Sequence, residues 1–467
     1  MPKTNTLLHK YTEWVVKWRW LVIAATLLVV GGIATGAQYI TFSTDYRVFF
    51  SERNPQLNAW EEFQNVYTKS DTMVFVLQTD EGTVFEEKPL NAIQELTDKA
   101  WQIPYANRVD SITNFQHTYA EGDEMIVEDL VENAPDTYTP QQLAQKQQIA
   151  LEEPLIINRL IAPDAKTTGV VVTFQMPNES IEEVPSAVAF ARDMFADVKQ
   201  KYPEFTYALS GTVMMNNAFS EASLNDMKTL NPIMYGILLV TMFVFLRTVS
   251  GTFATLLVIA FSAMTAMGLT GFLGIRLTPP SSIAPTIILT LAIADSVHVL
   301  VTMLKNMGQG MPKRDAIKES LRINFQPVFL TSLTTAIGFL ALNFSDSPPF
   351  GDLGNITAMG VIAAFVYSIV FLPALLAVLP VKAPKPKKEG KFDFMAILAE
   401  FVLAQRKKLL VGMTALILAL VSFIPQLELN DEFVQYFDKS IQFRQDADFM
   451  TQNLTGIYQV EYSLRAK

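Results

Sequence analysis

No cysteine occurs among the 467 residues, which excludes disulfide staples, thiolate metal sites and thiol nucleophiles. Histidine is almost as scarce. His9, His117 and His298 are the three imidazoles, too scattered for the ligand spacing of an ordinary zinc site. No glycine loop that would cradle phosphate and no Ser–His–Asp order is present. ATP-driven work, hydrolysis and metal chemistry therefore have no residues to carry them. No cofactor or metal is expected, and the chain does not read as an enzyme.

Apolar residues are abundant instead. They make up 50% of the chain and leave the mean hydropathy positive, although 46 acidic and 36 basic side chains are present. Both facts hold together only if apolar and charged residues are segregated along the sequence. A hydrocarbon core of roughly 30 Å needs about 20 apolar residues per helical span. Seven stretches qualify or nearly do: residues 20–40, 230–246, 252–274, 283–304, 327–343, 356–379 and 409–425. The first is too long for the apolar core of a secretory signal and reads as an uncleaved anchor.

Lysine and arginine orient the spans. Lys3, Lys10, Lys17 and Arg19 precede the first, Lys305 to Arg322 lie between the fourth and fifth, and eight basic residues fall between the sixth and seventh. The opposite short loops hold Arg276 alone. The N-terminus is thus cytoplasmic, and residues 41–229 form one large extracytoplasmic (periplasmic) domain. That domain carries 30 acidic and 13 basic side chains, a net charge near −17, which argues against nucleic acid as a partner. Membrane lipids are the expected surroundings.

Within 41–229, strands at 72–78 and 108–114 flank a helix at 87–102, and after an irregular stretch strands at 166–175 and 205–210 flank a helix at 181–201. Two such βαβ units predict an α+β domain of ferredoxin-like character. Residues 230–380 then hold spans 2 to 6. Residues 381–408 form a basic cytoplasmic linker, in which VKAPKPKKEGKF reads as an extended tether, and residues 313–322 read as a short amphipathic helix lying on headgroups.

The two ends of the chain resemble each other at an offset near 386. KWRWLVIAATLLVVGG parallels QRKKLLVGMTALILAL, Asp45 to Phe50 parallels Asp431 to Phe437, and Phe63 parallels Phe449. Span 7, residues 409–425, thus opens a second copy of the plan, and 426–467 is the start of a second domain that stops inside its first strand. Such a stub lacks its βαβ partners and is expected to be poorly packed.

The chemistry concentrates in span 4. IILTLAIADSVHVLVTML places Asp295 and His298 one turn apart, near mid-span. Ionisable groups at that depth cost several kcal/mol and usually mark proton or ion paths. Low dielectric penalises the charged form of a carboxyl, as reversible protonation requires, and an imidazole can shuttle the same proton. The plainer alternative is a polar contact that holds helices together. Thr331, Ser332, Thr334 and Thr335 in span 5 are candidate donors to Asp295, with Thr331 and Thr335 the proposed relay support. Bonding to their own helix backbone is the alternative for all four.

LAIADSVHVL is similar to the fourth-span motif of the resistance-nodulation-division (RND) superfamily, in the branch of the mycobacterial large membrane proteins (MMPL) and the third hydrophobe/amphiphile efflux family. NRLIAPDAKTTGVVVTF resembles that branch's porter domain, and FLPALLAVLP the end of its sixth span. The resemblance implies an α-helical membrane bundle with an extracytoplasmic porter domain. It also implies a proton relay that maps onto Asp295 and outward transport of a hydrophobic or lipidic substrate across the bacterial inner membrane. The family's relay normally has partners in a tenth span, which this sequence lacks. The missing C-terminal half, or a homo-oligomer, would have to supply them. Spans 2 to 6 also look like the sterol-sensing arrangement of Patched-type proteins, so lipid sensing without net transport stays open, as does a motor for protein translocation.

Overall fold

The computed structural model describes residues 4–467 except 44, 68–70, 132–133, 178–179, 181, 383–393, 429–431, 459–461 and 463–467. Among the described residues seven helices are long and apolar enough to cross a membrane: Arg19–Tyr39, Thr212–Val244, Val249–Phe272, Ser281–Gly308, Lys313–Phe344, Pro348–Val378 and Arg406–Gln426. They are spans 1 to 7. Helix α1, Thr4–Lys17, precedes span 1 and packs its Val15 and Tyr11 against span 6.

Spans 3, 4, 5 and 6 form one bundle around Val258, Ala292, Val299, Leu321 and Phe371. Span 1 joins it through glycine. Gly36 lies against Gly268 and Gly271 of span 3, so close that a Cβ on any of them would run into the opposing backbone. Small residues at such crossings let helices gain dispersion contacts that hydrophobicity cannot supply in lipid. Beyond span 1, Leu277 donates to the Thr41 carbonyl and Ser43 to the Leu277 carbonyl, tying the exit of span 1 to the loop after span 3.

The α+β domain opens with the 3₁₀ turn Tyr46–Phe49 and helix α2, Pro55–Val66, which Asn54 caps and Pro55 starts. Strand β1 (Asp71–Gln78), helix α3 (Glu87–Ala100) and strand β2 (Ala106–Asp110) follow, then a hairpin of β3 (Gln116–Glu121) and β4 (Glu124–Asp129). Helix α4 (Pro140–Glu152), strand β5 (Thr167–Phe174), helix α5 (Glu183–Lys201), strand β6 (Thr206–Ser210) and helix α6 (Thr212–Lys228) complete it. The sheet order is β2-β5-β1-β6, with every neighbouring pair antiparallel.

The stretch read as irregular is therefore ordered. Its helix α4 is announced by Thr139-Pro140-Gln141-Gln142, where the Thr139 hydroxyl and the Gln142 side chain satisfy each other's backbone N–H groups. Residues 313–322 are corrected as well: they are the first turns of span 5, not a separate surface helix. Lys313 donates to the carbonyls of Ala377 and Leu379 at the end of span 6, where a cation meets unsatisfied carbonyls and the negative helix pole. The tether reading falls on residues 381–392, of which 383 onward lies outside the described residues.

The largest correction concerns the chain after span 7. Helix α7, Gln442–Asn453, docks on the sheet beside β6, and Val434, Phe437, Phe443, Met450, Leu454 and Ile457 join the core of the α+β domain. The Asp446 carboxylate accepts from the Leu209 N–H on the free edge of β6, and Leu454 lies over Gly169 of β5, where no side chain intervenes. Phe75 of β1 points to the other face, edge-on to Phe195 of α5. A sheet covered on both faces explains why β1 is buried along almost its whole length. The described part of the stub from Val434 to Ile457 is packed because it borrows a sheet that already exists, whereas the strand expected at 460–464 lies, but for Tyr462, outside the described residues.

The bounds of the end segments coincide at one interval. Arg19–Ala34 of span 1, the turn Tyr46–Phe49 and α2 recur 387 residues on as Arg406–Val421, the turn Phe433–Tyr436 and α7. Their surroundings differ. Span 1 and α7 are packed, whereas α2 and the helix Arg406–Val421 of span 7 bury no residue.

Candidate functional site

Span 4 presents Ile288, Ala292, Asp295, Ser296, Val299 and Met303 to the bundle, a stripe at helical spacing. Asp295 is 7% exposed, the buried acid among the described residues of the spans. Its partner comes from span 5, where the Ser332 hydroxyl donates to Asp295 Oδ2 at 3.0 Å.

The other expected donors are placed elsewhere. Thr331 donates to the Pro327 and Val328 carbonyls, and Thr334 to those of Leu330 and Thr331, the backbone bonding open to any helical threonine. Thr335 is half-buried, and no hydrogen bond joins it to Asp295 among the described residues. His298 is exposed, and no hydrogen bond joins it to Asp295 either. The reason is angular. Asp295 stands at the edge of the buried stripe, and three residues on the helix has turned about 60° further from it.

Other polar contacts tie the spans together at several levels. Ser296 shares a hydrogen bond with Ser368 of span 6, and Thr265 of span 3 shares one of 2.7 Å with Tyr367. Ser320 of span 5 donates to the Val299 carbonyl, and Asn324 donates to Ser320. Spans 3 to 6 thus each contribute buried hydroxyl or amide groups to contacts within and between the helices.

Tyr367 and Ser368 open a π-helical turn, Tyr367–Phe371, a distortion frequent at functional sites. Pro373 accounts for part of it, since a proline has no N–H to give the carbonyl four residues back. That carbonyl belongs to Ile369, and the Tyr11 phenol of α1 donates to it at 2.9 Å. Sequence reading missed Tyr11, Ser296, Tyr367 and Ser368. The available signal was Pro373 in FLPALL, which marks an orphaned acceptor without saying which distant donor fills it.

Among the described residues no cluster of His, Cys, Asp or Glu could hold a metal ion. A buried carboxyl bonded across helices to Ser332, inside a multi-pass bundle joined to a large α+β domain, defines a polytopic membrane protein. The chain belongs to the MMPL family, in the RND branch, since the family's model matches residues 55–405. A membrane protein of Methanocaldococcus jannaschii is 21% identical over 368 residues, which cover 77% of this chain and 89% of that protein. A membrane protein of Bacillus subtilis is 20% identical over 239 residues, 50% of this chain and only 26% of the relative.

Proposed function

We propose that this chain works in an exporter that moves hydrophobic or lipidic compounds out of the bacterial inner membrane, driven by the proton gradient. The observation that carries this reading is Asp295, a carboxyl buried within the bundle and bonded across helices to Ser332. Ionisable groups kept at such depth are costly and mark proton paths. Asp295 takes up and releases the proton, Ser332 follows its charge, and Thr331 and Thr335 have no part. His298, on the exposed flank, exchanges protons with a partner's surface or with water instead of with Asp295.

The basic residues before span 1 and between spans 4 and 5 support a cytoplasmic N-terminus with residues 41–229 outside. The strand order β2-β5-β1-β6, with α3 and α5 as crossovers, supports a ferredoxin-like porter domain. The 387-residue recurrence supports span 7 as the start of a second repeat. Its exposed helix and the unburied α2 would then pack on a second unit of the same design, supplied by a further stretch of chain or by another copy.

Proteoliposomes with an imposed pH gradient and a fluorescent amphiphile test the proposal. Asp295→Asn is expected to abolish gradient-dependent flux while leaving insertion and melting unchanged. Flux equal to that of the parent protein would sink the proton role.

A further inference from the structure

Helix α7 meets the edge of the sheet through a carboxylate. An outer strand exposes N–H groups with no neighbouring strand to accept them, and on β6 the Leu209 N–H donates to Asp446 Oδ2 at 3.2 Å. The other oxygen, Oδ1, accepts from the Gln442 amide one turn earlier in α7 at 2.8 Å. Both donors are neutral. Asp446 is half-buried, so seating the helix takes a charge out of water and gives it only uncharged partners. The residue 387 positions earlier, in α2, is Ala59. The acid therefore belongs to α7 and not to the plan that the two ends share.

The nearby cations are committed elsewhere. Lys199 of α5 stands 4.4 Å from the ring centroid of Phe195 and 5.8 Å from that of Tyr207. Arg192 of α5 makes a two-bonded ion pair with Glu221 of α6. Both act on Asp446 only through space, beyond ion-pair distance. The remaining polar groups are paired among themselves: Arg444 with Asp448 within α7, Gln78 of β1 with Asn453, and the Tyr207 phenol of β6 with the Tyr202 carbonyl. Burial thus outweighs the distant cations and raises the Asp446 carboxyl above its usual 3.8, and burial also lowers the Lys199 ammonium from its usual 10.5.

We propose that Asp446 makes the seat of α7 on β6 an acid-tightened latch, which holds the helix, and through it the chain leaving span 7, more firmly to the α+β domain when the carboxyl takes up a proton. The neutral acid keeps its carbonyl oxygen on the Leu209 N–H and turns its O–H to the amide oxygen of Gln442. The seated helix binds that proton more tightly than the released one, because only seating strips water from the carboxylate. The added stability is fully present below the ordinary carboxyl value of 3.8 and is lost as pH rises through the raised one. Lys199 titrates in a far more alkaline range, so its opposite tendency leaves the acid window clear. The export reading enters only in placing the latch on the side that a proton gradient acidifies.

Hydrogen exchange read by mass spectrometry, on the full chain in nanodiscs at about pH 7.5 and 4.5 with intrinsic rates corrected, tests the latch without any gradient or transport. Protection of peptides covering residues 442–453 and 206–210 is expected to rise about three- to tenfold on acidification. Asp446→Asn keeps the shape and the acceptor without the charge. It should be as protected at about pH 7.5 as the parent protein is at 4.5, and should lose the pH dependence. Lys199→Gln removes a distant positive charge and should move the tightening to higher pH. Protection that is indifferent to pH, that falls on acidification, that keeps its full pH dependence in Asp446→Asn, or that tightens only at lower pH in Lys199→Gln would overturn the proposal. Tightening in a protein that shows no gradient-driven flux would support the latch and count against the export reading.

Discussion

The phenol of Tyr11 donates its hydrogen bond to the carbonyl of Ile369, the acceptor that Pro373 leaves without a helical N–H. Residues 358 positions apart are thereby joined, and α1 is locked to the π-helical turn that carries Tyr367 and Ser368. Tyr11→Phe leaves a buried acceptor bare and should cost about 1–3 kcal/mol. Pro373→Ala returns an N–H to the turn, so in that background the Tyr11 substitution should cost much less. Thermal melts of the two single variants and the double variant check this. Strict additivity would mean that the two residues do not share one acceptor.

Ser332 and Thr331 are neighbours in sequence with opposite assignments. Ser332→Ala removes the hydroxyl on Asp295 and is expected to lower gradient-driven flux several-fold, since a bond to a charged group contributes about 1.5–3 kcal/mol. Thr331→Ala removes only a bond to its own helix and should leave flux within about twofold. Equal effects in a proteoliposome assay would refute the assignment.

The crossing of spans 1 and 3 depends on the absence of side chains. Gly268→Leu has no room against Ile33 and should separate the helices or prevent folding, while Gly31→Ala has open space around it and should melt with the parent protein. Size-exclusion profiles and melting in detergent distinguish the two.

In the α+β domain, burial pushes the Glu95 carboxyl up, but the hydrogen bonds from Lys201 and Lys99 outweigh it and hold the group below its usual 4.5. A carboxyl depressed on folding contributes stability above its unfolded value, lost as pH falls through the folded one. Glu95→Gln should therefore lower the melting temperature at pH 7, and the difference should shrink as pH falls below about 4.5. A difference independent of pH would point to packing alone.

The spans and the six strands differ in how far the sequence disclosed them. Apolar runs fix the spans because the membrane imposes a length, and short, continuously apolar runs mark β1 and β5, which are buried along almost their whole length. Span 6 ran longer than its apolar run because Pro348 and Pro349 start it before the hydrophobic residues begin. Asp295 was legible as a lone intramembrane acid. Its partner was not, because choosing Ser332 over Thr331 or Thr335 requires the rotation of span 5 against span 4, which composition does not encode. The docking of α7 was hidden for a related reason: its buried face, Phe443, Ala447 and Met450, is readable, but the sheet it covers is more than 230 residues away in the chain.

Thr229 is the single residue between helix α6, 17 residues long, and the helix Leu230–Leu246 of span 2. Thr212 and Met215, at the far end of that arm, wall a cavity of about 290 Å³ that Phe50, Trp60 and Phe433 also line. An arm of 17 residues is about 25 Å long, so a tilt of about 10° at the joint would sweep its tip by about 4 Å. That is roughly the thickness of an acyl chain, so a small swivel beside the membrane is enough gearing to pinch shut, or release, whatever occupies the chamber above.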